Sequence, residues 1–419
     1  MPRIPRLGGA ILGLLVAGTA VRFAMAALHH VTPISDFENY HLLATTLAQH
    51  GDYSISVNGP AEIYWPPGWP FVLSLAYWIF GSNPTVGELL AAALSSATLI
   101  VTALLATRLL NRPFAIFAVA VLALNPAWII YTSVLGTEHL AGLLAVSILA
   151  LVVLRPLNWR VGAAVGLLEA LLILTRADIG FVMLVVLVAA MAIRGIRVHW
   201  RFGIAAGLAI MVGLTPWVVR NEARFGEFIP TSANGGTAFY LASYNVNGNG
   251  LPEPDPPPPY TVYEDPRAYD NYYWEHGLNH VRDAPVAWMR DNATRLSITW
   301  WHENGVLFWA NVTGESFYGY GADWIWRVIA ILAALAGIAA LAGRVSWRQW
   351  LPVFTAVIGA VIVITPFVPD PRRHISVVAP LALLAGLGAQ SLYGEVLRLR
   401  GTDLTSRLRW RPRRTRTPP

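Results

Sequence analysis

The sequence of 419 residues contains no cysteine and no lysine, and only 13% of its residues are charged. The lack of cysteine excludes disulfides, thiolate catalysis and cysteine-ligated zinc. The lack of lysine excludes Schiff-base chemistry and a P-loop ATPase, since both need that side chain. All 30 basic residues are therefore arginine, which is consistent with a GC-rich bacterial genome.

Hydrophobic residues make up 55% of the chain and the mean hydropathy is +0.49. A soluble domain carries about 25% charged residues. Apolar runs of about 17 residues or more recur, and each can cross a ~30 Å hydrocarbon core. We therefore predict an all-α integral membrane protein with about ten transmembrane helices. The predicted spans lie near 8–28, 87–107, 114–135, 138–154, 161–175, 179–193, 202–219, 324–342, 351–368 and 375–393.

The apolar segment 66–81 starts with two prolines and is short, so we interpret it as an interfacial or re-entrant helix. This choice sets the topology, because cytoplasmic loops of membrane proteins are rich in Arg and Lys. With the N-terminus inside, the short cytoplasmic loops carry arginines without any Asp or Glu, whereas 29–85 has no arginine. A spanning 66–81 would invert every later loop and place these arginines outside. They are Arg108, Arg112, Arg155, Arg160, Arg194, Arg197, Arg201, Arg344 and Arg348.

We predict two parts of the chain: a transmembrane catalytic domain, 1–393, and an arginine-rich cytoplasmic tail, 394–419, expected to be disordered. The first extracytoplasmic loop, 29–85, is expected to contain juxtamembrane helices. The large extracytoplasmic loop, 220–323, is rich in Pro, Tyr, Asn and acidic residues. The sequence has no GxGxxG or P-loop motif, and the lack of a clear inverted repeat disfavours a secondary transporter.

Polar residues at membrane level are candidates for function. Asp36 and Tyr40 are four residues apart and share one face of a short helix. Asp36 or Ser35 is either the N-cap of that helix, or Asp36 is a catalytic carboxylate directed into a cleft. Glu38 faces elsewhere and is the second-choice carboxylate.

Glu138 lies at the outer end of a hairpin between two spans. It is either a first-turn residue favoured by the helix dipole or a second functional acid, and we expect His139 beside it to be solvated. Arg176, at the next outer turn, either pairs locally with Asp178 or meets an anion. Glu169 lies inside a span and needs a partner or a proton.

The outer turn Arg372-Arg373-His374 suits a phosphate group, which arginine binds bidentately, or else lipid headgroups. Arg220 and Asn221 open the large loop and can reach the same anion. A carboxylate base with arginines that stabilise a phosphate leaving group predicts a transferase with a lipid-phosphate donor. No cofactor is predicted: no histidine spacing is diagnostic of a metal site, and nothing supports a divalent cation.

Four segments also carry a family resemblance: 35–44 (SDFENYHLLA), 65–68 (WPPG), 214–221 (LTPWVVRN) and 372–374 (RRH). In this order they resemble the GT-C glycosyltransferases that use polyprenyl-phosphate sugars, such as the protein O-mannosyltransferases and the lipid A aminoarabinose transferase. The resemblance implies that Asp36 is the catalytic base and Glu138 a second acid. It also implies that Arg372 and Arg373, with Arg176, contact the lipid phosphate.

The resemblance implies a polyprenyl-phosphate-linked sugar, a hexose or pentose, as the donor. The acceptor would be a hydroxyl of a glycan, lipid or protein, with an inverting transfer and no nucleic-acid partner. The expected location is a bacterial cytoplasmic membrane, with the site facing outwards in contact with membrane lipids. In contrast to many relatives, Phe37 stands where a second acid follows the first.

Two alternatives remain open. A transporter or flippase for a phosphate-bearing lipid or glycan would use the same arginines, with Glu169 as the coupling residue. A polymerase or ligase acting on lipid-diphosphate glycans would differ only in its donor.

Overall fold

The computed structural model describes residues 8–244, 257–303, 309–310 and 317–400, with side chains from 321 onwards in the last range. Every regular element in these residues is a helix, which confirms the predicted all-α class. In chain order the helices are α1 (Gly9–Leu28), α2 (Asp36–His50), α3 (Gly68–Phe80), α4 (Pro84–Leu109), α5 (Arg112–Leu124), α6 (Pro126–Ile130), α7 (Glu138–Leu154), α8 (Trp159–Thr175), α9 (Ala177–Arg194), α10 (Trp200–Phe225), α11 (Gly235–Tyr244), α12 (Pro266–Asp283), α13 (Pro285–Trp301), α14 (Phe317–Leu341), α15 (Trp347–Ile364) and α16 (Val378–Leu399). Short 3-10 turns at Tyr131–Ser133 and Pro371–Val377 precede α7 and α16.

Seven stretches of the described residues are long and apolar enough to cross a membrane: α1, α4, α9, α10, α14, α15, and α16 with its preceding turn. The bent pair formed by α5 and α6 with its turn gives an eighth. Helices α7 and α8 occupy the two remaining predicted spans, but each has only 17 residues. The chain is thus a multi-pass membrane protein, and the predicted count of ten is not confirmed.

The segment that contains helix α3 begins and ends at the same end of the helix bundle. The first residue of α3, Gly68, packs so tightly on the C-terminal end of α8 that a Cβ atom would lie 2.7 Å from the Thr175 nitrogen. Helix α4 then begins beside the end of α1, where His30 Nδ1 lies 2.8 Å from Glu88 Oε2. Thirteen residues also span only ~20 Å. These contacts place both ends of 66–81 at one end of the bundle; its assignment as an interfacial or re-entrant helix stays a prediction.

The predicted span 114–135 is broken rather than continuous. Helix α5 ends before Asn125-Pro126, and the chain turns by 47° into α6, because proline cannot donate the next helical hydrogen bond. Arg22 of α1, fully buried, donates to the carbonyl oxygens of Leu122 (2.8 Å) and Ala123 (3.0 Å) at this break. One cation thus satisfies carbonyl groups that the broken helix leaves unpaired.

The last helix, α16, is buried on all sides from Val378 to Gly388. A helix that is apolar all round is typical of the centre of a bundle. It continues to Leu399, beyond the predicted boundary at 393. The rest of the predicted tail, 401–419, lies outside the described residues.

Candidate active site

Helix α2 begins at Asp36, and its Ser35 N-cap (φ 54°) makes no side-chain capping bond. The Asp36 carboxylate instead accepts a hydrogen bond of 2.7 Å from Arg372 Nη2. The next residue, Phe37, is buried and packs edge-on against Tyr131. Packing of this apolar side chain fixes the start of α2, so that the carboxylate before it faces the 3-10 turn at Pro371–Val377.

Arg372 is held from several sides. Its guanidinium forms ion pairs with Asp36 at 2.7 Å and with Asp370 at 2.6 Å. It also lies over the rings of Phe37 and Trp309, 5.2 and 4.8 Å from their centroids. Cation–π contacts of this kind add to the ion pairs, so Arg372 gives Asp36 a fixed orientation.

A second ion-pair group lies at the start of α7. Glu138 is the first residue of that helix, as predicted, and it is buried. Arg176 Nη1 donates to it at 3.0 Å, and Tyr131 Oη donates at 2.9 Å. Arg176 also pairs with Asp178 at 2.8 Å, and Arg373 lies 3.8 Å from the same carboxylate. The predicted local pair of Arg176 and Asp178 exists, and it is extended to Glu138.

Tyr40 shows that the two groups form one site. Burial raises the pKa of its hydroxyl well above the ordinary value. The carboxylates of Asp36 and Glu138 raise this pKa further, and the charges of Arg372 and Arg176 lower it. One side chain therefore senses both ion pairs. The charge cluster contains four carboxylates and three arginines: Asp36, Glu138, Asp178 and Asp370, with Arg176, Arg372 and Arg373.

Each arginine of this cluster lies close to a carboxylate. Burial alone lowers the pKa of Arg176, but Asp178 and Glu138 raise it above its ordinary value, so the guanidinium stays charged. Arg373 has the longest ion-pair distance of the three, 3.8 Å. Among these three arginines it is the one with most capacity for an incoming phosphate.

Arg220 and Asn221 lie in a different group, near the C-terminal end of α10. Arg220 donates to the backbone oxygens of Glu62 (2.7 Å) and Tyr53 (3.2 Å) rather than pairing with a carboxylate. Its guanidinium also lies 4.8 Å from the centre of the Trp217 ring. Asn221 is buried and donates to the Ile229 oxygen at 2.8 Å, so it fixes the entry to the large loop.

A cavity of about 620 Å³ opens below Arg220, between the loop that precedes α3 and helices α8 and α10. Its wall is mainly apolar, and Arg220, Arg224 and Asp52 lie among its lining residues. The apolar lining includes Phe71, Leu167, Ala170, Leu171, Leu174 and Pro216. This combination suits an amphipathic molecule with an anionic head and an apolar tail.

The remaining predicted residues lie elsewhere. His374 is buried; it is 2.9 Å from the Thr299 oxygen and 3.1 Å from Glu303 Oε1, and Trp326 stacks on it. Glu38 is exposed on α2. The expectation that His139 is solvated is wrong: it is 1% exposed, because the hairpin folds inwards against the ring of Tyr131.

Sequence reasoning missed Asp370, Tyr131 and Arg22. Asp370 lies in a Pro-Asp-Pro turn directly before the predicted phosphate-binding residues Arg372 and Arg373. Arg22 is a single charge inside a predicted span, and an intramembrane charge is itself a signal of a buried role. Tyr131 carries no signal of this kind. In the part of the chain that the structure describes, no three His, Asp or Glu side chains are grouped as metal ligands would be.

A scan against protein-family models finds no match, and a search of curated proteins finds none. Solved structures do match. ArnT from Cupriavidus metallidurans, a lipid A aminoarabinose transferase, was solved bound to undecaprenyl phosphate; it aligns over 94% of this chain with a TM-score of 0.58 and 15% identity. The Archaeoglobus fulgidus oligosaccharyltransferase, tethered with an acceptor peptide, aligns over 94% with a TM-score of 0.56 and 11% identity.

The chain spans 64% of the ArnT chain and 51% of the oligosaccharyltransferase chain. At these identities the likeness concerns the fold. The chain has the GT-C fold of these two membrane glycosyltransferases, as the four sequence segments predict.

Proposed function

We propose that this chain is a membrane glycosyltransferase that moves a sugar from a polyprenyl-phosphate donor to a hydroxyl acceptor. The observation that carries the proposal is the Asp36–Arg372 pair. Helix α2 and the turn before α16 are remote in sequence, yet they hold a quarter-exposed carboxylate beside a guanidinium at 2.7 Å. The GT-C fold supports the same assignment. We place the site on the extracytoplasmic face of a bacterial cytoplasmic membrane, because the arginine-rich loops belong to the other end.

In the proposed reaction, Asp36 accepts the proton of the acceptor hydroxyl. The hydroxyl oxygen forms a bond to the anomeric carbon as the bond from that carbon to the phosphate oxygen breaks. The polyprenyl phosphate leaves with the bonding electron pair, and Asp36 later loses its proton to water. A single displacement of this kind inverts the anomeric configuration. Arg372 orients Asp36, and the pair of Glu138 and Arg176 positions the opposite wall of the site.

The departing phosphate needs positive charge that carboxylates do not already engage. Arg220 meets this need best, because it is bonded to backbone oxygens at the rim of a cavity that fits an apolar chain. Tyr53 connects this group to the site. Its ring lies 5.7 Å from the Arg220 guanidinium, and its hydroxyl donates to the Trp65 oxygen at 3.0 Å. The Trp65 ring in turn packs on Tyr40. Arg373 is the second candidate.

The test uses purified protein in proteoliposomes with a radiolabelled polyprenyl-phosphate sugar and a crude envelope glycan fraction as acceptor. A general base contributes about 10²–10⁴-fold to the rate. Asp36→Asn should therefore lower transfer at least about 100-fold. The control is Asp283→Asn, an exposed carboxylate at the end of α12, which should leave transfer unchanged. Full transfer activity of a folded Asp36→Asn protein would show that Asp36 is not the base.

A flippase is the second candidate, and Glu169 favours it. This carboxyl group is fully buried in α8, and neither oxygen has a hydrogen-bond partner among the described residues. Buried acids of this kind occur in proton relays of transporters. A flippase would move the lipid without forming a glycosylated product, and Glu169→Gln would abolish that movement.

A further inference from the structure

The large loop contributes a tyrosine-rich hairpin that the reaction proposed above does not use. Helices α11 and α12 pack tightly: the Gly236 nitrogen donates to Asp270 at 2.7 Å, and a Cβ atom on Gly277 would lie 2.8 Å from the Phe239 ring. Segment 260–273 carries five tyrosines, and none of them lies in a predicted membrane span. A hydroxyl-rich aromatic surface therefore lies outside the bundle.

This hairpin is attached to the loop that precedes α3, next to the charge cluster. The Ala233 nitrogen donates to the Ile63 oxygen at 3.0 Å, and Tyr263 Oη donates to Glu62 at 3.2 Å. A small apolar cluster that includes Ile63 lies between the two segments. Tyr64, Trp65 and Tyr269 all pack against that cluster.

The rings form a sequence that starts at the proposed base. Tyr40, one turn after Asp36, packs on Trp65 with ring centroids 5.7 Å apart, and Trp65 packs on Tyr64 at 4.8 Å. Beyond the shared apolar cluster, Tyr269 packs on Tyr273 at 5.0 Å, and Tyr273 packs on Tyr240 at 5.3 Å. We name the four half-buried rings of this set the tyrosine track: Trp65, Tyr64, Tyr269 and Tyr273. Tyr40 and Tyr240 are buried, and they support the two ends of the track.

The chemistry of the track fits sugars. Tyr64, Trp65, Tyr269 and Tyr273 are half-buried, so their neighbours hold the rings while part of each surface stays accessible. Burial raises the pKa of Tyr64 and Tyr273 above the ordinary value, so both hydroxyls remain neutral donors. A pyranose or furanose ring offers an apolar C–H face for stacking and hydroxyls for hydrogen bonds. Aromatic residues with a polar end serve both needs.

The charges beside the track separate the possible ligands. Asp270 and Glu62 flank it, and each already accepts a hydrogen bond from the protein. Glu62 is fully buried and acts only through its charge, whereas Asp270 is half-buried and can reach a ligand. Carboxylates accept hydrogen bonds from sugar hydroxyls but repel phosphate groups. An uncharged glycan therefore fits this surface better than the anionic headgroup of a lipid does.

We propose that the tyrosine track binds the acceptor, and that the acceptor is a neutral glycan chain of several sugars whose end reaches Asp36. This inference rests on the proposed function. A chain that covers successive rings gains contact with each added sugar, so affinity should rise with chain length until the track is filled.

The first experiment measures binding, so that it does not depend on turnover. The full-length protein in nanodiscs is titrated with fluorescently labelled neutral hexose oligosaccharides of increasing length. We expect the affinity to rise with length. Tyr273→Ala should weaken binding of the longest oligosaccharide about tenfold, since stacked aromatic contacts are worth up to about 1.5 kcal/mol. Tyr273→Phe keeps the ring but loses the hydroxyl, and its affinity for the same oligosaccharide should fall about threefold, the loss of one neutral hydrogen bond.

The controls make the result decisive. Tyr260→Ala removes an exposed tyrosine of the same loop outside the track and should bind as the native protein does. Asp36→Asn should bind the glycan normally while it loses transfer. The proposal is wrong if Tyr273→Ala and Tyr273→Phe bind the oligosaccharide normally, or if affinity does not depend on the length of the oligosaccharide.

Two further binding measurements distinguish a neutral glycan from other ligands of the tyrosine track. A serine-rich peptide that binds more tightly than every oligosaccharide would overturn the glycan assignment in favour of a protein acceptor. Competition between the oligosaccharide and a polyprenyl-phosphate monosaccharide would overturn it in favour of the donor sugar. If Asp36→Asn keeps full transfer activity and the protein still binds the glycan, Asp36 is not the base. Glycan binding by the tyrosine track is then still supported.

Discussion

Replacement of Arg22 by leucine gives a sharp test of how the fold supports the site. Arg22 makes three hydrogen bonds to other helices: to Ser95 Oγ at 2.8 Å, to the Leu122 oxygen at 2.8 Å and to the Ala123 oxygen at 3.0 Å. The two carbonyl groups lie where α5 ends, so the helix itself offers them no donors. The leucine variant would leave both unsatisfied in the bundle interior.

The expected magnitude follows from these contacts. Interhelical hydrogen bonds in membrane bundles contribute roughly 0.6 to 1.7 kcal/mol each, so three bonds contribute roughly 2 to 5 kcal/mol. Replacing a buried charge with an apolar side chain also removes a desolvation penalty, which offsets part of this loss. We expect Arg22→Leu to lower the free energy of unfolding by about 2 kcal/mol. Arg22→Lys should lose about half as much, because an ammonium has three donors and the guanidinium five.

Thermal unfolding in detergent, followed by tryptophan fluorescence, measures the effect. The matched control is Arg348→Leu, an exposed arginine that should change stability by less than about 0.5 kcal/mol. The loss should extend to activity, because the α5–α6 break places Tyr131 against Glu138. An Arg22→Leu protein that unfolds at the native temperature would refute the assignment of Arg22 to these carbonyls.

Three further predictions concern the site and the bundle. Glu138→Gln should lower kcat about 10²-fold with little change in the KM for donor, since it removes one of the two carboxylates that hold Arg176; an unchanged kcat in the proteoliposome assay would contradict this positioning role. Arg220→Met should lower kcat/KM for the donor about 100-fold, because its charge binds the lipid phosphate and offsets the negative charge that develops as the phosphate departs; an unchanged kcat/KM in steady-state kinetics with varied donor would contradict this role. Glu169→Met should raise the unfolding temperature, because it replaces an unpartnered buried carboxyl group with an apolar side chain of similar size; a lower temperature, seen by fluorescence, would indicate an essential partner.

The apolar runs were sufficient for the membrane class. That class depends on hydrophobic burial, which each residue contributes largely independently of its neighbours. The placement of 66–81 rests instead on its two prolines and on the arginine distribution, and it stays a prediction. Asn125-Pro126 is a sequence signal for the break within 114–135, although the apolar run around it predicts a single span. A local proline signal was there outweighed by the apolar run around it.

The sequence predicts most members of the candidate site but not their contacts. Asp36, Glu138, Arg176 and Arg372 were selected one at a time, because each is a polar residue at an outer turn. Their pairing was not, since Asp36 and Arg372 are 336 positions apart. His374 has the same sequence context as Arg372, yet it is buried away from the charge cluster against Glu303. The 3-10 turn at 371–377 aims neighbouring side chains in different directions, and sequence spacing does not encode that rotation.

What the sequence alone determined was therefore the all-α membrane class and the apolar runs that form most of the long helices. Burial of apolar surface fixes these, and composition records it directly. The tertiary structure alone decided which groups meet: that Arg372 faces Asp36, that Arg220 bonds to backbone oxygens at a cavity rim, and that tyrosines of the large loop continue from Tyr40. These contacts depend on helix crossing and rotation, which arise only when distant segments pack together.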